Sequence, residues 1–166
     1  MRVYLPGTFP MLVEWLAAGA ARPSDLAGVP AHAVTAALRE WYHDADLDEL
    51  EHAAQLDAAV SSLRLLALDP SAPRRRVVLA VDVEDPEAQP ASPAGRSAIT
   101  LDRAVPMVRW ASALIDDVDA EPVVTQAVSA LEAAAPGDDD AQFDIDEAEA
   151  VELGWYAVQE LPHLLH

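Results

Sequence analysis

The sequence predicts a single α+β domain with a mixed or mainly antiparallel sheet and covering helices, and three observations carry that prediction. Its 166 residues are 52% hydrophobic, enough for one conventional core and too apolar for a disordered chain. Stretches alternating at the period of a strand open the chain and recur in its middle and near its end, while apolar residues at helical spacing fill the intervals. In order, the longer elements read strand, helices, strand, strand, helix, strand, compatible with a ferredoxin-like split βαβ plan elaborated by extra helices. Residues 1–166 are therefore read as one domain.

Arg2 to Leu5 sets Val3 and Leu5 against Arg2 and Tyr4, a strand with one covered face that Pro6-Gly7 ends. Thr8 then caps a helix with Pro10 in its first turn and Leu12, Trp15, Leu16 and Gly19 at helical spacing, stopping near Arg22-Pro23. Residues 23–30 read as a connector, 31–35 as a short extended piece, and Thr35 as the cap of a helix over 36–42. Asp46 and Glu49 form a capping-box pattern for a longer helix reaching about Leu68, with Leu56, Ala59, Val60, Leu63, Leu66 and Ala67 on its stripe. Asp69-Pro70 and Ala72-Pro73 end it, because proline lacks an amide donor and restricts the residue before it.

"VVLAVDV", Val77 to Val83, is a strand turning Val77, Leu79, Val81 and Val83 inward, preceded by the basic island Arg74 to Arg76. "EDPEAQPASPAGR", residues 84–96, lacks apolar periodicity and reads as an exposed Pro/Ala-rich loop. Short and longer strands are expected at 98–101 and 108–115. A helix follows from about Ala120, with Pro122 in its first turn and Val124, Ala127, Val128 and Leu131 buried. Residues 136–150 form an acidic loop or frayed helix, and Glu152 to Leu161 alternates as a last strand before Pro162.

Composition removes several kinds of chemistry. With no cysteine, disulfides, thiolate nucleophiles, zinc ribbons and cysteine-ligated iron-sulfur clusters are excluded. All 10 basic residues are arginine, so a Walker-A loop, a Schiff-base enzyme and a pyridoxal-phosphate site lack their lysine. No cofactor is expected. The 29 acidic residues give a net charge of −19, which repels phosphate backbones, so direct nucleic-acid binding is not expected either. Such a surface either solvates the protein or faces a basic protein partner. Pro6, Pro10 and Glu14 interrupt the apolar N-terminus, which is read as part of the fold. No run approaches the roughly 18 uncharged apolar residues of a membrane span. The expectation is a soluble, cytoplasmic protein of undetermined oligomeric state.

Chemically capable side chains are densest in "WYHDADLDELEH", residues 41–52. Glu49 and His52 are three apart and share a helix face, the arrangement that supplies a carboxylate and an imidazole to one metal in di-iron bundles. With His43 and Asp44 or Asp46 they form a candidate metal centre. A second such pair is missing, since Glu160 and His163 are interrupted by Pro162. The bland alternative is that these anions begin a helix, each stabilised by about 0.3 to 1 kcal/mol at its N-terminus. His43-Asp44 also matches, in two letters only, the adjacent pair of metal-dependent phosphohydrolases. Asp138 to Glu149 imitates a calcium loop but places Phe143 where the turn needs glycine. Asp138, Asp139, Asp140, Asp144 and Asp146 are the candidate contacts for a basic partner.

Trp41-Tyr42 and Trp155-Tyr156 could line a ligand pocket, or each pair could place one ring in the core and the other at its edge. No serine sits in a Gly-x-Ser-x-Gly elbow, and Ser61 and Ser62 fall in a helix interior. The six glycines are too scattered for a phosphate loop. Arg74 to Arg76 could bind a phosphate, though such runs more often stay solvated or pair with the molecule's own carboxylates.

The segments "MRVYLP", "ALREWY", "LDAAVSSLRLL", "DDVDAEP" and "WYAVQELP" span nearly the whole chain. Through them it resembles a family of small uncharacterised proteins from high-GC actinobacteria. That resemblance implies a domain of unknown function and carries over no catalytic residue. The leading expectation is a non-enzymatic acidic protein acting through protein interaction, with segments 84–89 and 138–152 as contacts. The alternatives are a metal-dependent hydrolase or oxygenase using His43, Glu49 and His52, and a small-molecule-binding protein.

Overall fold

A computed structural model describes residues 1–133 and 138–165. The chain runs through β1 (Arg2–Gly7), α1 (Phe9–Ala18), β2 (Ala20–Ala21), β3 (Ala31–Ala33), α2 (Ala36–Trp41) and α3 (Leu47–Leu68). It continues through β4 (Val77–Asp82), β5 (Ala88–Pro90), β6 (Ala98–Leu101), β7 (Val105–Pro106), β8 (Trp110–Ile115), α4 (Glu121–Ala133), α5 (Asp139–Glu149), β9 (Gly154–Tyr156) and α6 (Leu161–Leu164). Seven strands form one sheet in the order β5-β6-β3-β1-β4-β8-β9, and β2 and β7 form a small ribbon. Every pairing is antiparallel, so the α+β class and the mainly antiparallel sheet hold. Among the described residues no helix is long and apolar enough to cross a membrane.

The ferredoxin-like expectation does not hold. A split βαβ plan keeps its first two strands parallel with a third between them, whereas β1 and β4 are direct antiparallel neighbours from Arg2↔Asp82 to Gly7↔Val77. Their connection contains α1, β3 and α3, with α1 and α3 on opposite faces, so it is not one crossover helix and no parallel return is imposed. One face of the two strands presents Val3, Leu5, Val77, Leu79 and Val81 to Leu12 and Trp15 of α1 and to Leu161. The other presents Tyr4, Val78 and Ala80 to Leu50, Ala54 and Ala58 of α3. The one-faced strand expected at Arg2 to Leu5 is thus covered on both sides.

Local signals set most helix starts. Thr8 Oγ1 accepts from the Met11 amide at 3.4 Å and Thr35 Oγ1 from the Leu38 amide at 3.1 Å. The capping box closes as expected, with the Glu49 amide donating to Asp46 Oδ1 at 2.9 Å and the Asp46 amide to Glu49 Oε2 at 3.3 Å. The buried face of α3 is nevertheless rotated from the expected stripe, and Leu56 is 36% exposed. Small Ala54 and Ala58 meet the sheet, while Leu63 and Leu66 meet Val124, Ala127 and Val128 of α4 and Ala148 of α5. Alanine fits either face of a helix, so its periodicity does not say which face is covered.

Two further expectations are corrected, and of the loop or frayed helix expected in the acidic stretch the helix is what forms. The 84–96 loop contains β5, an edge strand on β6 that buries Ala88. The acidic stretch is helical from Asp139 to Glu149: Asp138 caps it by accepting from the Ala141 amide at 3.1 Å, and Ala141, Ile145 and Ala148 are buried. Residues 136 and 137, which begin that expected loop, lie outside the described residues. The last strand is only Gly154–Tyr156, because the chain turns into a 3-10 helix at Val158–Glu160 and then into α6, which takes Pro162 in its first turn.

The basic island is a clasp. Arg74 Nη1 donates to the Leu66 and Asp69 carbonyls at the end of α3, and Arg75 Nε to the Asp116 carbonyl at 2.9 Å. Arg76, 1% exposed, grips the 0%-exposed Asp116 through Nε at 2.7 Å and Nη2 at 2.8 Å.

Candidate functional site

On one face of the sheet, β3, α3, the segment before β6 and the ends of α2 and α5 leave a polar cleft between them. His32 lies on β3 opposite Tyr4 and Ala98, so its ring points toward α3. Along α3, Asp57, Ser61 and Arg64 are spaced four and three apart and share the wall that faces it. The segment before β6 contributes Arg96 and Ser97, the end of α2 contributes Trp41 and Tyr42, and Glu149 closes α5 at the rim. The cavity is about 360 Å³. Among the described residues, a larger apolar groove of about 760 Å³, bounded by Leu16, Met107 and Trp110, is lined by no titratable side chain, whereas the smaller cleft brings hydroxyl, imidazole, carboxylate and guanidinium groups together.

A chain of hydrogen bonds forms its floor. Ser97 Oγ donates to Asp57 Oδ2 at 2.6 Å. A carboxylate only accepts, so the Ser97 hydroxyl is committed and its oxygen accepts from His32 Nδ1 at 2.8 Å. That places the imidazole proton on Nδ1 and leaves Nε2 to accept from the Ser61 hydroxyl at 2.7 Å. Every proton therefore points one way, from Ser61 through His32 and Ser97 to Asp57. His32 is 4% and Ser61 1% exposed. Burial pushes the imidazole down to about 4, the Asp57 charge opposes this, and the Arg64 charge adds to it. Burial also raises Glu149, helped by Asp146 and Asp57.

Adjacent Ser62 shows what a purely structural serine looks like here. Its hydroxyl donates to the Gly7 carbonyl at 2.8 Å and accepts from the Val77 amide at 3.1 Å, joining the end of β1 to the start of β4. Ser61 instead bonds a side chain at the base of a cavity.

Arg96 lies over the Trp41 ring at 3.6 Å, and the Thr35 hydroxyl donates to the Arg96 carbonyl, tying this segment to α2. Among the described residues neither Arg64 nor Arg96 has an ion-pair partner. In a molecule of 29 acidic and 10 basic residues, two guanidinium groups outside any ion pair, in a lining that also holds Asp57 and Glu149, leave donors at this cleft for an anion.

The expected site residues are distributed differently. Trp41 and Tyr42 reach the cleft, but Trp155 and Tyr156 lie on β9 at the far side of β1, with Trp155 exposed and Tyr156 against the main core. His43 bonds the Glu40 carbonyl at 3.0 Å in an exposed turn. Glu49 is engaged in the capping box, Asp44 is exposed, and His52 borders a separate depression with Glu149 and Glu152. Among the described residues no three metal-ligating side chains converge. Asp138, Asp139 and Asp140 occupy the cap and first turn of α5, where the helix dipole favours anions. Asp144 accepts from Gln126 at 3.2 Å and Asp146 from Gln142 at 2.8 Å.

Sequence reading missed His32, Asp57, Ser61, Arg64, Arg96 and Ser97. The available signal was a serine pair in the middle of an otherwise apolar helix, which requires a buried partner for each hydroxyl.

A model of a family described as a family of unknown function (DUF6912) matches residues 1–165. No curated protein and no solved structure matches the chain.

Proposed function

The chain belongs to that family of unknown function, and from the cleft itself we propose that it binds a small carboxylate-bearing molecule over His32. The carrying observation is the pair of guanidinium groups, Arg64 and Arg96, at a cavity whose floor is an ordered hydroxyl–imidazole chain. The guanidiniums hold the carboxylate, and the Trp41 and Tyr42 rings cover the body of the ligand. A cavity of about 360 Å³ suits a metabolite-sized ligand rather than a polymer. Isothermal titration with succinate, malonate and citrate tests this. Each charge-assisted contact contributes about 1.5–3 kcal/mol, so the Arg64→Ala/Arg96→Ala protein should lose at least about 100-fold in affinity for whichever acid binds. No binding to the native protein, or equal binding to the variant, defeats the reading.

A second reading, interaction with a basic protein, is favoured by Phe143. This ring is 61% exposed on α5 between the carboxylates of Asp139, Asp140 and Asp146, an apolar anchor inside an acidic face. Proteins retained on the immobilised chain at low salt should be released at high salt and lost from Phe143→Ser. Retention indifferent to salt removes this reading.

A further inference from the structure

We propose that Ser61 is a nucleophile for acyl transfer, with His32 as its general base, acting on small carboxylic esters whose acid portion carries a second, free carboxylate. This deepens the carboxylate-binding reading and rests on it for substrate class. The geometry carries it: Ser61 Oγ lies 2.7 Å from His32 Nε2, the opposite imidazole nitrogen is held by Ser97 at 2.8 Å, and Ser97 is held by Asp57 at 2.6 Å. Nucleophile, base and orienting group stand in hydrogen-bond sequence, as covalent acyl transfer requires, with a hydroxyl interposed before the anion. Spacing along the chain hides the arrangement, since the three contacts join residues 29, 65 and 40 apart.

The chemistry balances with water as the only co-reactant. Ser61 Oγ attacks the ester carbonyl carbon while its proton passes to His32 Nε2, with the substrate held through its free carboxylate by Arg64 and Arg96 of the same cleft. The bond to the alcohol oxygen breaks, and that oxygen takes the proton from Nε2. Water then attacks the acyl-serine, giving one proton to Nε2. The bond to Ser61 Oγ breaks and the hydroxyl recovers its proton, releasing the acid. Burial keeps the imidazole neutral at neutral pH, free to accept the proton, and makes it a weaker base than an exposed histidine.

A fluorophosphonate probe tests this on the intact protein, because an activated serine displaces fluoride from phosphorus and retains the phosphonyl group. Mass spectrometry of the native protein should locate one adduct, on Ser61, and Ser61→Ala should show none. His32→Gln, checked for folding by circular dichroism, should label at least about 100-fold more slowly, within the contribution expected of general-base catalysis. Asp57→Asn, altering only a positioning residue, should label about 10-fold more slowly while its melting temperature changes little. Absence of a Ser61 adduct on the folded native protein overturns the proposal, as does equal labelling of His32→Gln. Succinate titration separates the two readings. Binding without labelling removes the nucleophile and keeps the carboxylate site, whereas labelling that succinate fails to protect keeps the nucleophile and removes the assigned substrate class.

Discussion

Replacing Asp116 by alanine is expected to destabilise the protein by about 3–5 kcal/mol, a large fraction of the roughly 5–15 kcal/mol that holds a typical domain together. The Asp116 carboxylate accepts from Arg76 Nε at 2.7 Å, Arg76 Nη2 at 2.8 Å and the Arg76 amide at 2.8 Å. Removing it leaves a buried guanidinium with the Val151 carbonyl, 3.0 Å from Nη2, as its remaining partner. The pair joins the entrance of β4, the exit of β8 and the approach to β9, so its loss loosens three strands of one sheet. Urea denaturation should show a lower midpoint with an unchanged slope. Arg76→Met/Asp116→Leu should recover most of the loss, because it removes both buried charges. A single-variant loss under about 1 kcal/mol would show that the clasp contributes little to stability.

Elements specified by neighbouring residues were legible: the Thr8, Thr35 and Asp46 caps, the apolar run of β4, and the stop at Asp69-Pro70. Elements specified by distant partners were not. The extended β5 exists because β6 pairs with it, and the orientation of α3 is fixed by the sheet and by α4, which alanine-rich periodicity does not encode. Likewise, the cluster at residues 41–52 divides into a capping box, an exposed turn histidine and two cleft aromatics. The cleft's chemistry draws on β3, α3 and the segment before β6, whose residues acquire a shared purpose only when the sheet brings them together.

Acidification should weaken the fold through His32, by about 3 kcal/mol in full and about 2 kcal/mol by pH 5. The folded imidazole takes its proton only near 4, against an ordinary value of 6.5. Between those values the unfolded chain binds a proton that the folded chain refuses. Stability from this group is therefore complete above pH 6.5 and falls as the pH drops toward 4. Asp57 favours the protonated ring, whereas Arg64, on the same wall, opposes it. Arg96 is a further cation at this cleft. Glu149, whose carboxyl is raised, works the other way, since its folded form gains a proton first on acidification. Subtracting the stability of His32→Gln from that of the native protein, measured from about pH 7.5 to about pH 5, isolates the histidine from the carboxylates. The difference should be level above pH 6.5 and decline below it. A difference independent of pH would mean that the folded ring protonates as readily as the unfolded one, and the buried neutral base would then be absent.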